Sequence, residues 1–255
     1  MSSRNSIYTQ NSITPVRVAL YKRVLKNYGA DSQIRVFREE AGELLTVISQ
    51  YERGRVPIGE VAEECADYKI MGEQLAVITG IQAVYREEER HLRELAEYLP
   101  IKHVLHPSVE KKEWKPGITS LPDSRNLVLP EKIKLGEFPN SQKYRGTPLS
   151  PERTALYLLA NKQSSPEVLY MVLGEKIGEV LSVLARHRRQ ETTLAEVADK
   201  VAAYRIMGEQ MATWLGFDAV SDIEQYKLAR LEHRLNKEYG IVSTKKTEQE
   251  VGIER

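Results

Sequence analysis

The sequence predicts an all-α protein built from two related four-helix domains. Three observations support this: an ungapped internal repeat, helical spacing of apolar residues in each copy and a proline-rich segment between the copies. At an offset of 136 residues, about 30 of the 87 pairs between residues 13–99 and 149–235 are identical. Two copies of this length are too few for a solenoid, so we expect them to pack together as an intramolecular pseudo-dimer.

The first copy, residues 13–99, is predicted to form four helices. Apolar residues recur at helical spacing before and after a polar break at residues 53–57, which separates the second helix from the third. Gly80 is expected to end the third helix, because glycine is common just past a helix end. The outer two helices are predicted at about residues 15–28 and 83–98.

A connector, residues 100–148, links the two copies. It contains seven prolines, which exclude long helices. A segment of this length is longer than an idle loop, so we expect it to pack across both domains, with a short hairpin at residues 127–135. The second copy, residues 149–240, is predicted to repeat the four helices, and residues 241–255 are predicted to be a disordered tail.

Composition excludes several functional classes. The 37 Lys and Arg residues balance 36 Asp and Glu residues, and this balance argues against specific nucleic-acid binding and against an anionic membrane as partner. Long apolar runs are absent, so we expect no membrane span, no secretory signal and a cytoplasmic location. A single cysteine, Cys65, excludes an internal disulfide, and the five histidines lack metal-binding spacing, so a metal here would need oxygen ligands.

Acidic residues form two paired motifs in the first copy. Glu40 and Glu43 share one face of the second helix, and Glu64 and Asp67 share one face of the third. Their apolar neighbours place them near the buried side, where four acids would repel one another without a cation. A hard divalent cation, most simply Mg²⁺, would neutralise them and would also accept phosphate oxygens as ligands. For either motif alone, a solvated helix face is the alternative interpretation.

The pattern Glu40-x-x-Glu43, about twenty residues and then Glu64-x-x-Asp67 resembles the MazG-type all-α nucleotide pyrophosphohydrolases. Related enzymes act on phosphoribosyl-ATP and on dUTP or dCTP. The resemblance covers about residues 17–98 and, through the repeat, the second copy. It implies two MazG-like four-helix domains and Mg²⁺-dependent cleavage of a nucleoside triphosphate to the monophosphate and pyrophosphate, with Mn²⁺ able to substitute.

The resemblance also assigns roles to residues of the first copy. It implies four metal ligands: Glu40, Glu43, Glu64 and Asp67. Glu39 or Glu63, the acids that precede the two pairs, would position or deprotonate the attacking water, and of these Glu39 is preferred.

The second copy lacks most of this acidic set. At the offset of 136, three of the four ligand positions differ, because Glu40, Glu64 and Asp67 correspond to Lys176, Lys200 and Ala203. The acids that the second copy keeps nearby are Glu175, Glu179 and Asp199. We therefore expect the second copy to bind no catalytic metal and to hold a site closed by salt bridges.

Basic residues of the second copy are candidates for substrate binding. Members of the family commonly carry an Asn-x-Lys-x-x-Arg-like stretch that binds phosphates; residues 88–94 of the first copy depart from it, whereas the second copy has Lys227 and Arg230 on one helix face. We expect a composite site in which these two cations reach the triphosphate; an exposed helix face is the alternative. Lys69, which flanks the acidic motifs, is a third candidate, and the basic run at residues 187–189 is interpreted as a solvated loop.

The sequence thus predicts a Mg²⁺-dependent nucleoside triphosphate pyrophosphohydrolase with its active site in the first copy. Phosphoribosyl-ATP is the alternative substrate. A non-catalytic helical module that senses nucleotide or binds a protein is the alternative function, because the second copy has lost its ligands. Assembly of two such chains into a further homodimer is also open.

Overall fold

The computed structural model describes residues 12–99 and 128–239, and every regular element in these ranges is helical. The predicted all-α class is confirmed for this part of the chain. We refer to residues 12–99 as the first half and to residues 149–239 as the second half. Among the helices described, none is both long enough and apolar enough to cross a membrane.

The helices follow the predicted order. Those of the first half are α1 (Pro15–Tyr28), α2 (Ala30–Glu52), α3 (Ile58–Thr79) and α4 (Ile81–Tyr98). Those of the second half are α5 (Pro151–Gln163), α6 (Pro166–Arg188), α7 (Leu194–Leu215) and α8 (Phe217–Tyr239). Gly80 and Gly216 end α3 and α7 with φ angles of 110° and 105°, which L side chains rarely adopt, so both turns require glycine.

The two halves start their first helices in the same way. Thr14 caps α1 by accepting a hydrogen bond from the backbone N–H of Arg17, and Ser150 caps α5 by accepting one from Arg153. A proline follows each cap, where its missing N–H costs no helical hydrogen bond. The cap and the proline together fix where each helix begins.

Helices α3 and α7 lie at the centre and pack against each other. Tyr68 and Tyr204 stack there with ring centroids 3.8 Å apart, and each hydroxyl donates to the backbone carbonyl of the other residue at 2.9 Å. A Cβ on Gly208 would lie 2.8 Å from a ring carbon of Tyr68, so this close packing depends on glycine. Around this pair, α2 packs on α3 and α6 on α7, while α4 crosses to α7 and α8 crosses to α3.

The main apolar core belongs to both halves. Leu44 and Leu75 of the first half belong to the same buried cluster as Leu173 and Val201 of the second. Burial of these side chains is the largest favourable contribution to folding. The contact between the halves is therefore part of the core itself.

A buried ion-pair cluster also connects the halves. In this first cluster (Arg17, Lys69, Glu73 and Glu224), the Nη1 of Arg17 lies 2.7 Å from Glu73 and 2.8 Å from Glu224. Lys69 pairs with the second oxygen of Glu224. Burial alone would raise the pKa of Glu224, but Lys69 and Arg17 outweigh it and hold that pKa below its ordinary value. The cluster joins three residues of the first half to one of the second.

A second cluster (Arg153, Arg205, Glu209 and Glu88) mirrors the first. The Nη2 of Arg153 lies 2.7 Å from Glu209 and 3.6 Å from Glu88, which also pairs with Arg205. Each of its positions differs from a position of the first cluster by 136. Here three residues come from the second half and one from the first, so each half completes the cluster of the other.

Part of the predicted connector lies within the described residues. Residues 128–148 contain turns and the 3₁₀ helix Ser141–Tyr144, so the hairpin expected at residues 127–135 is wrong for the positions described there. The 3₁₀ helix contacts α1 and α8, and Arg17 donates to the carbonyl of Tyr144 at 2.7 Å. This segment therefore packs on both halves. Residues 100–127 and the predicted tail lie outside the described residues.

Candidate functional site

A cavity of about 330 Å³ lies between α2, α3 and α8; we call it the acidic cavity. Its carboxylates come from the first half: Glu40, Glu43, Glu63, Glu64 and Asp67. Its cations come from the connector and the second half: Lys132, Lys227, Arg230 and Arg234. The structure thus brings the four predicted metal ligands together with two of the three predicted substrate-binding residues.

Helical spacing explains how the acids converge. Glu40 and Glu43 occupy one face of α2, and Glu64 and Asp67 occupy the face of α3 that packs towards it. Carboxylate oxygens of Glu40, Glu43 and Glu64 lie within 4.8 Å of one another, and so do those of Glu63, Glu64 and Asp67. Glu64 belongs to both groups, so the arrangement offers two adjacent positions for a cation.

Three of these carboxylates resist ionisation in this setting. Burial raises the pKa of Glu40 to about 8, with further contributions from Asp67 and Glu43. Burial raises the pKa of Glu64 to about 7, with Asp67 adding to the effect and Lys227 opposing it. Burial also raises the pKa of Asp67. Protons and cations therefore compete for the same oxygens near neutral pH.

Two buried oxygens at the cavity lack partners. Among the described residues, neither Oε2 of Glu64 nor Oε1 of Gln74 has a hydrogen-bond donor. An unpaired buried polar atom costs about 1–3 kcal/mol, so a bound cation or its water ligands would relieve a real deficit. The deficit is an acceptor without a donor, which is the kind that a cation relieves.

Lys227 brings the second half into the acidic cavity. Its Nζ lies 3.0 Å from Oε1 of Glu63 and also pairs with Asp67. Burial acts to lower the pKa of Lys227, but Asp67 and Glu63 outweigh it and raise that pKa above its ordinary value. Lys132, from the connector, holds the other oxygen of Glu63 at 2.9 Å. The positive charge facing the acids therefore comes from outside the first half.

Two of the predicted site residues, Glu39 and Lys69, lie outside the acidic cavity. Glu39 is exposed and does not line the acidic cavity, because it precedes Glu40 by one position and so points about 100° away around α2. Lys69 does not line it either: its ammonium pairs with Glu224 in the first ion-pair cluster and lies 4.5 Å from the ring centre of Phe217. Of the two predicted water-positioning acids, only Glu63 faces the acidic cavity.

Four polar residues of the acidic cavity are not among the predicted site residues: Gln33, Gln74, Lys132 and Arg234. Arg234 lies on the same face of α8 as Arg230, four positions further on, so helical spacing could have found it. Gln74 lies on the same face of α3 as Asp67, about two helical turns further on, so helical spacing could also have indicated it. Lys132 follows no periodic pattern, because the connector has no regular structure at that point.

The corresponding positions of the second half form ion pairs, as the sequence predicts. Lys176 lies 2.9 Å from Glu175 and 3.1 Å from Glu179. Lys200 lies 3.5 Å from Glu179 and 3.3 Å from Asp199. Two lysines therefore pair with these three acids, whereas the first half has carboxylates at the same two positions.

Without divalent cations, thermal stability is expected to fall as the pH rises from about 5 to about 8. The folded-state pKa values of Glu40 and Glu64, about 8 and about 7, exceed the ordinary carboxyl value, so the folded chain binds more protons than the unfolded chain. That stabilisation is present at low pH and is lost as the pH passes the folded pKa values. The melting temperature measured in EDTA across this range tests it.

The control for this measurement is the double variant Glu40→Gln, Glu64→Gln, which removes both titrating groups. Its melting temperature should change less over the same pH range than that of the wild type. Equal pH profiles for the two proteins would contradict the assignment of the pH dependence to the acidic cavity.

Comparison of the chain with protein-family models, curated proteins and solved structures finds no match. The resemblance to MazG-type enzymes therefore rests on the paired acidic motifs and on the order of the helices. The function proposed below is therefore inferred from the residues of the acidic cavity and their chemistry.

Proposed function

We propose that the chain is a Mg²⁺-dependent nucleoside triphosphate pyrophosphohydrolase with one active site, in the acidic cavity. One observation carries the proposal: Glu64 belongs to both carboxylate groups and has a buried oxygen without a donor. Its two halves would be MazG-like domains packed as an intramolecular pseudo-dimer. The reciprocal contact of Tyr68 with Tyr204 and the two mirrored ion-pair clusters support that organisation.

The residues of the acidic cavity fit a hard divalent cation. Only oxygen donors converge there, and Mg²⁺ prefers oxygen ligands and retains several waters. The residues that would hold it are Glu40, Glu43, Glu64 and Asp67. When bound, Mg²⁺ supplies positive charge to the phosphate oxygens and makes an attacking water more acidic. Mn²⁺ accepts the same ligands.

Lys227 would serve two purposes in this site. Without a divalent cation, its ammonium is the counter-ion of Asp67 and Glu63. If Asp67 held a divalent cation, the ammonium of Lys227 would be released from it and could bind the triphosphate. Arg230 would add a guanidinium from the same face of α8. The composite site would then take acids from one half and phosphate-binding cations from the other.

Glu63 is the residue best placed to orient the attacking water. Lys132 fixes one of its oxygens at 2.9 Å, and Lys227 contacts the other at 3.0 Å. When Lys227 turns to the phosphate, that second oxygen becomes free to accept a hydrogen bond or a proton from water. The role that the resemblance gave to Glu39 or Glu63 thus goes to Glu63.

A non-catalytic module that senses nucleotide is the second candidate function. The specific observation in its favour is that one ammonium of the second half, that of Lys227, pairs with both Glu63 and Asp67 of the cavity. A protein that only binds nucleotide could use the same lysine as a permanent part of the site. The two functions differ in whether pyrophosphate is released.

We expect the wild-type protein to release pyrophosphate, and no free phosphate, from at least one nucleoside triphosphate when Mg²⁺ is present. The panel should contain the common ribo- and deoxyribonucleoside triphosphates and phosphoribosyl-ATP. EDTA should abolish the release, because the carboxylates cannot neutralise phosphate without a cation. A pyrophosphate-specific coupled assay, run beside a phosphate assay, measures it.

Glu179→Gln is the matched control, because Glu179 is the counterpart of Glu43 in the closed site of the second half. It should leave the rate of release unchanged. Absence of release from every substrate with Mg²⁺ and with Mn²⁺ would contradict the enzymatic proposal and favour the nucleotide-sensing module.

A further inference from the structure

A second cavity, of about 290 Å³, lies between the two halves, and we call it the basic cavity. It is lined by residues of α2 and α3 on one side and of α6 and α7 on the other, and it shares no residue with the acidic cavity. On α2, the residues facing it, such as Ile34 and Arg38, lie on the helix face opposite to Glu40. The two cavities are therefore separate sites on the two sides of one helix.

Positive charge surrounds the basic cavity. Its lining residues include Arg35 and Arg38 of α2, Arg188 and the neighbouring imidazole of His187 of α6, and one carboxylate, Asp31. Arg188 lies 3.9 Å from Asp31 in an exposed pair, which is worth little in water. Within the described ranges, Arg35 and Arg38 form no ion pair. The run at residues 187–189 was interpreted as a solvated loop, but His187 and Arg188 belong to α6 and face this cavity.

The floor of the basic cavity is apolar with one polar exception. Ile34, Ile78, Leu184 and Val197 supply the apolar surface. The exception is Thr79, which is 3% exposed and whose hydroxyl has no hydrogen-bond partner among the described residues. A buried hydroxyl of this kind is costly until a partner reaches it. A ligand that fits this floor needs a flat or compact apolar body and a hydrogen-bonding edge.

The positions that correspond to the lining of the basic cavity at the offset of 136 carry different residues. At the offset of 136, Ile34 and Ile78 correspond to Tyr170 and Trp214, and these two rings meet edge to face at 5.7 Å. Thr79 corresponds to Leu215. The basic cavity therefore has two isoleucines and a hydroxyl at positions where the corresponding region has two aromatic rings and a leucine.

The same comparison applies to the charges. The positions that correspond to Arg35 and Arg38 are Met171 and Gly174. Those that correspond to His187 and Arg188 are Tyr51 and Glu52. The smaller apolar side chains and the arginines therefore occur together at this cavity, whereas the corresponding positions have neither.

We propose that the basic cavity binds a nucleoside phosphate, with its phosphates at Arg35, Arg38 and Arg188 and its base on the apolar floor. Guanidinium groups can bind phosphate oxygens through two parallel hydrogen bonds. Among the described residues, Arg35 and Arg38 have no ion-pair partner, and Arg188 has only its exposed pair with Asp31 at 3.9 Å. A base has apolar faces for the floor and a polar edge for the hydroxyl of Thr79, which an aliphatic chain lacks. This site is additional to the acidic cavity and needs no divalent cation.

Calorimetric titration of ATP, GTP, CTP and UTP into the Glu64→Gln variant in EDTA tests the proposal. These conditions remove cation-dependent binding, and the variants Arg38→Ala and Arg230→Ala assign the binding that remains to the basic or to the acidic cavity. We expect at least one nucleotide to bind at one site per chain. Arg38→Ala should weaken this binding at least about tenfold, because a charged hydrogen-bond pair is lost. Tripolyphosphate, which has no base, should bind at least about tenfold more weakly than the nucleotide.

Two further variants separate the basic cavity from its surroundings. Ile78→Trp introduces the residue found at position 214 and should abolish binding by filling the cavity. Arg189→Ala is the matched control, because Arg189 follows Arg188 but pairs with exposed Glu191 and does not line the cavity. Adding this substitution to the Glu64→Gln protein should leave its nucleotide affinity unchanged.

Several outcomes would overturn the proposal. These are no binding by any of the four nucleotides, equal binding by tripolyphosphate, or unchanged binding in Arg38→Ala. Loss of binding in Arg230→Ala instead of Arg38→Ala would place the nucleotide in the acidic cavity and overturn it as well. Because the titration involves no hydrolysis, its result is independent of whether the wild type releases pyrophosphate.

Discussion

Replacing Arg17 with methionine is expected to lower the free energy of unfolding by about 3–5 kcal/mol. Arg17 is buried and joins Glu73 of the first half to Glu224 of the second. Methionine would keep much of the apolar volume but would leave Glu73 without its ion-pair partner. Breaking one partner of a buried ion pair is costly because the remaining charge cannot be solvated. Urea unfolding followed by circular dichroism measures the change.

Two variants test whether charge is the cause. Adding Glu73→Gln to Arg17→Met should recover part of the lost stability, because it removes the uncompensated charge. Arg189→Met breaks an exposed pair with Glu191 and should cost less than about 1 kcal/mol. If Arg17→Met cost no more than Arg189→Met, the cluster would not hold the halves together.

Replacing Glu64 with glutamine is expected to reduce pyrophosphate release at least about a hundredfold, since it removes charge from the metal and transition-state region. Glu64 is shared by both carboxylate groups, so one substitution weakens both cation positions. Glutamine keeps the shape of the side chain and is neutral at every pH. Initial rates with saturating Mg²⁺ and nucleotide, together with Mn²⁺ binding measured by calorimetry, test the expectation.

The stability of Glu64→Gln separates a lost function from a lost fold. Burial raises the pKa of Glu64 to about 7, so removing its charge should leave the melting temperature equal or higher at pH 8 in EDTA. Lys200→Gln alters the corresponding position of the second half and should leave the rate unchanged. A Glu64→Gln protein that kept its rate within about threefold would refute the metal-ligand role, given the size of such effects.

Most of the fold could be predicted from the sequence because local rules and burial agree. Apolar spacing, the proline at the start of α1 and Gly80 at the end of α3 all mark the same helices that tertiary packing stabilises. The internal repeat supplied the rest, because two copies with the same apolar pattern adopt the same helix order. The connector carried no such pattern, and its hairpin prediction failed for that reason.

Residues of the acidic cavity could be predicted from the sequence only where the spacing within one helix puts them on the same face. Spacing within α2 and α3 puts Glu40 and Glu64 on the helix faces that line the cavity, but it could not separate Glu39 from them without the direction of the neighbouring helix. The position of Lys69 outside the cavity could not be predicted, because its buried partner, Glu224 of α8, lies far away in sequence. Lys132 was missed because its contact with Glu63 depends on the path of an irregular segment.

The hydrogen bond from Arg17 to Glu224 spans 207 positions of the chain, and this separation constrains the order of folding. During synthesis, α1 to α4 are complete long before α8 exists. Until α8 has been synthesised, Arg17 and the apolar surface of α3 lack the partners that they contact in the folded protein. Contacts between residues this far apart in sequence form late, and the surfaces that await them are prone to aggregate. We therefore expect the core shared by the two halves to form only after nearly all of the chain has left the ribosome.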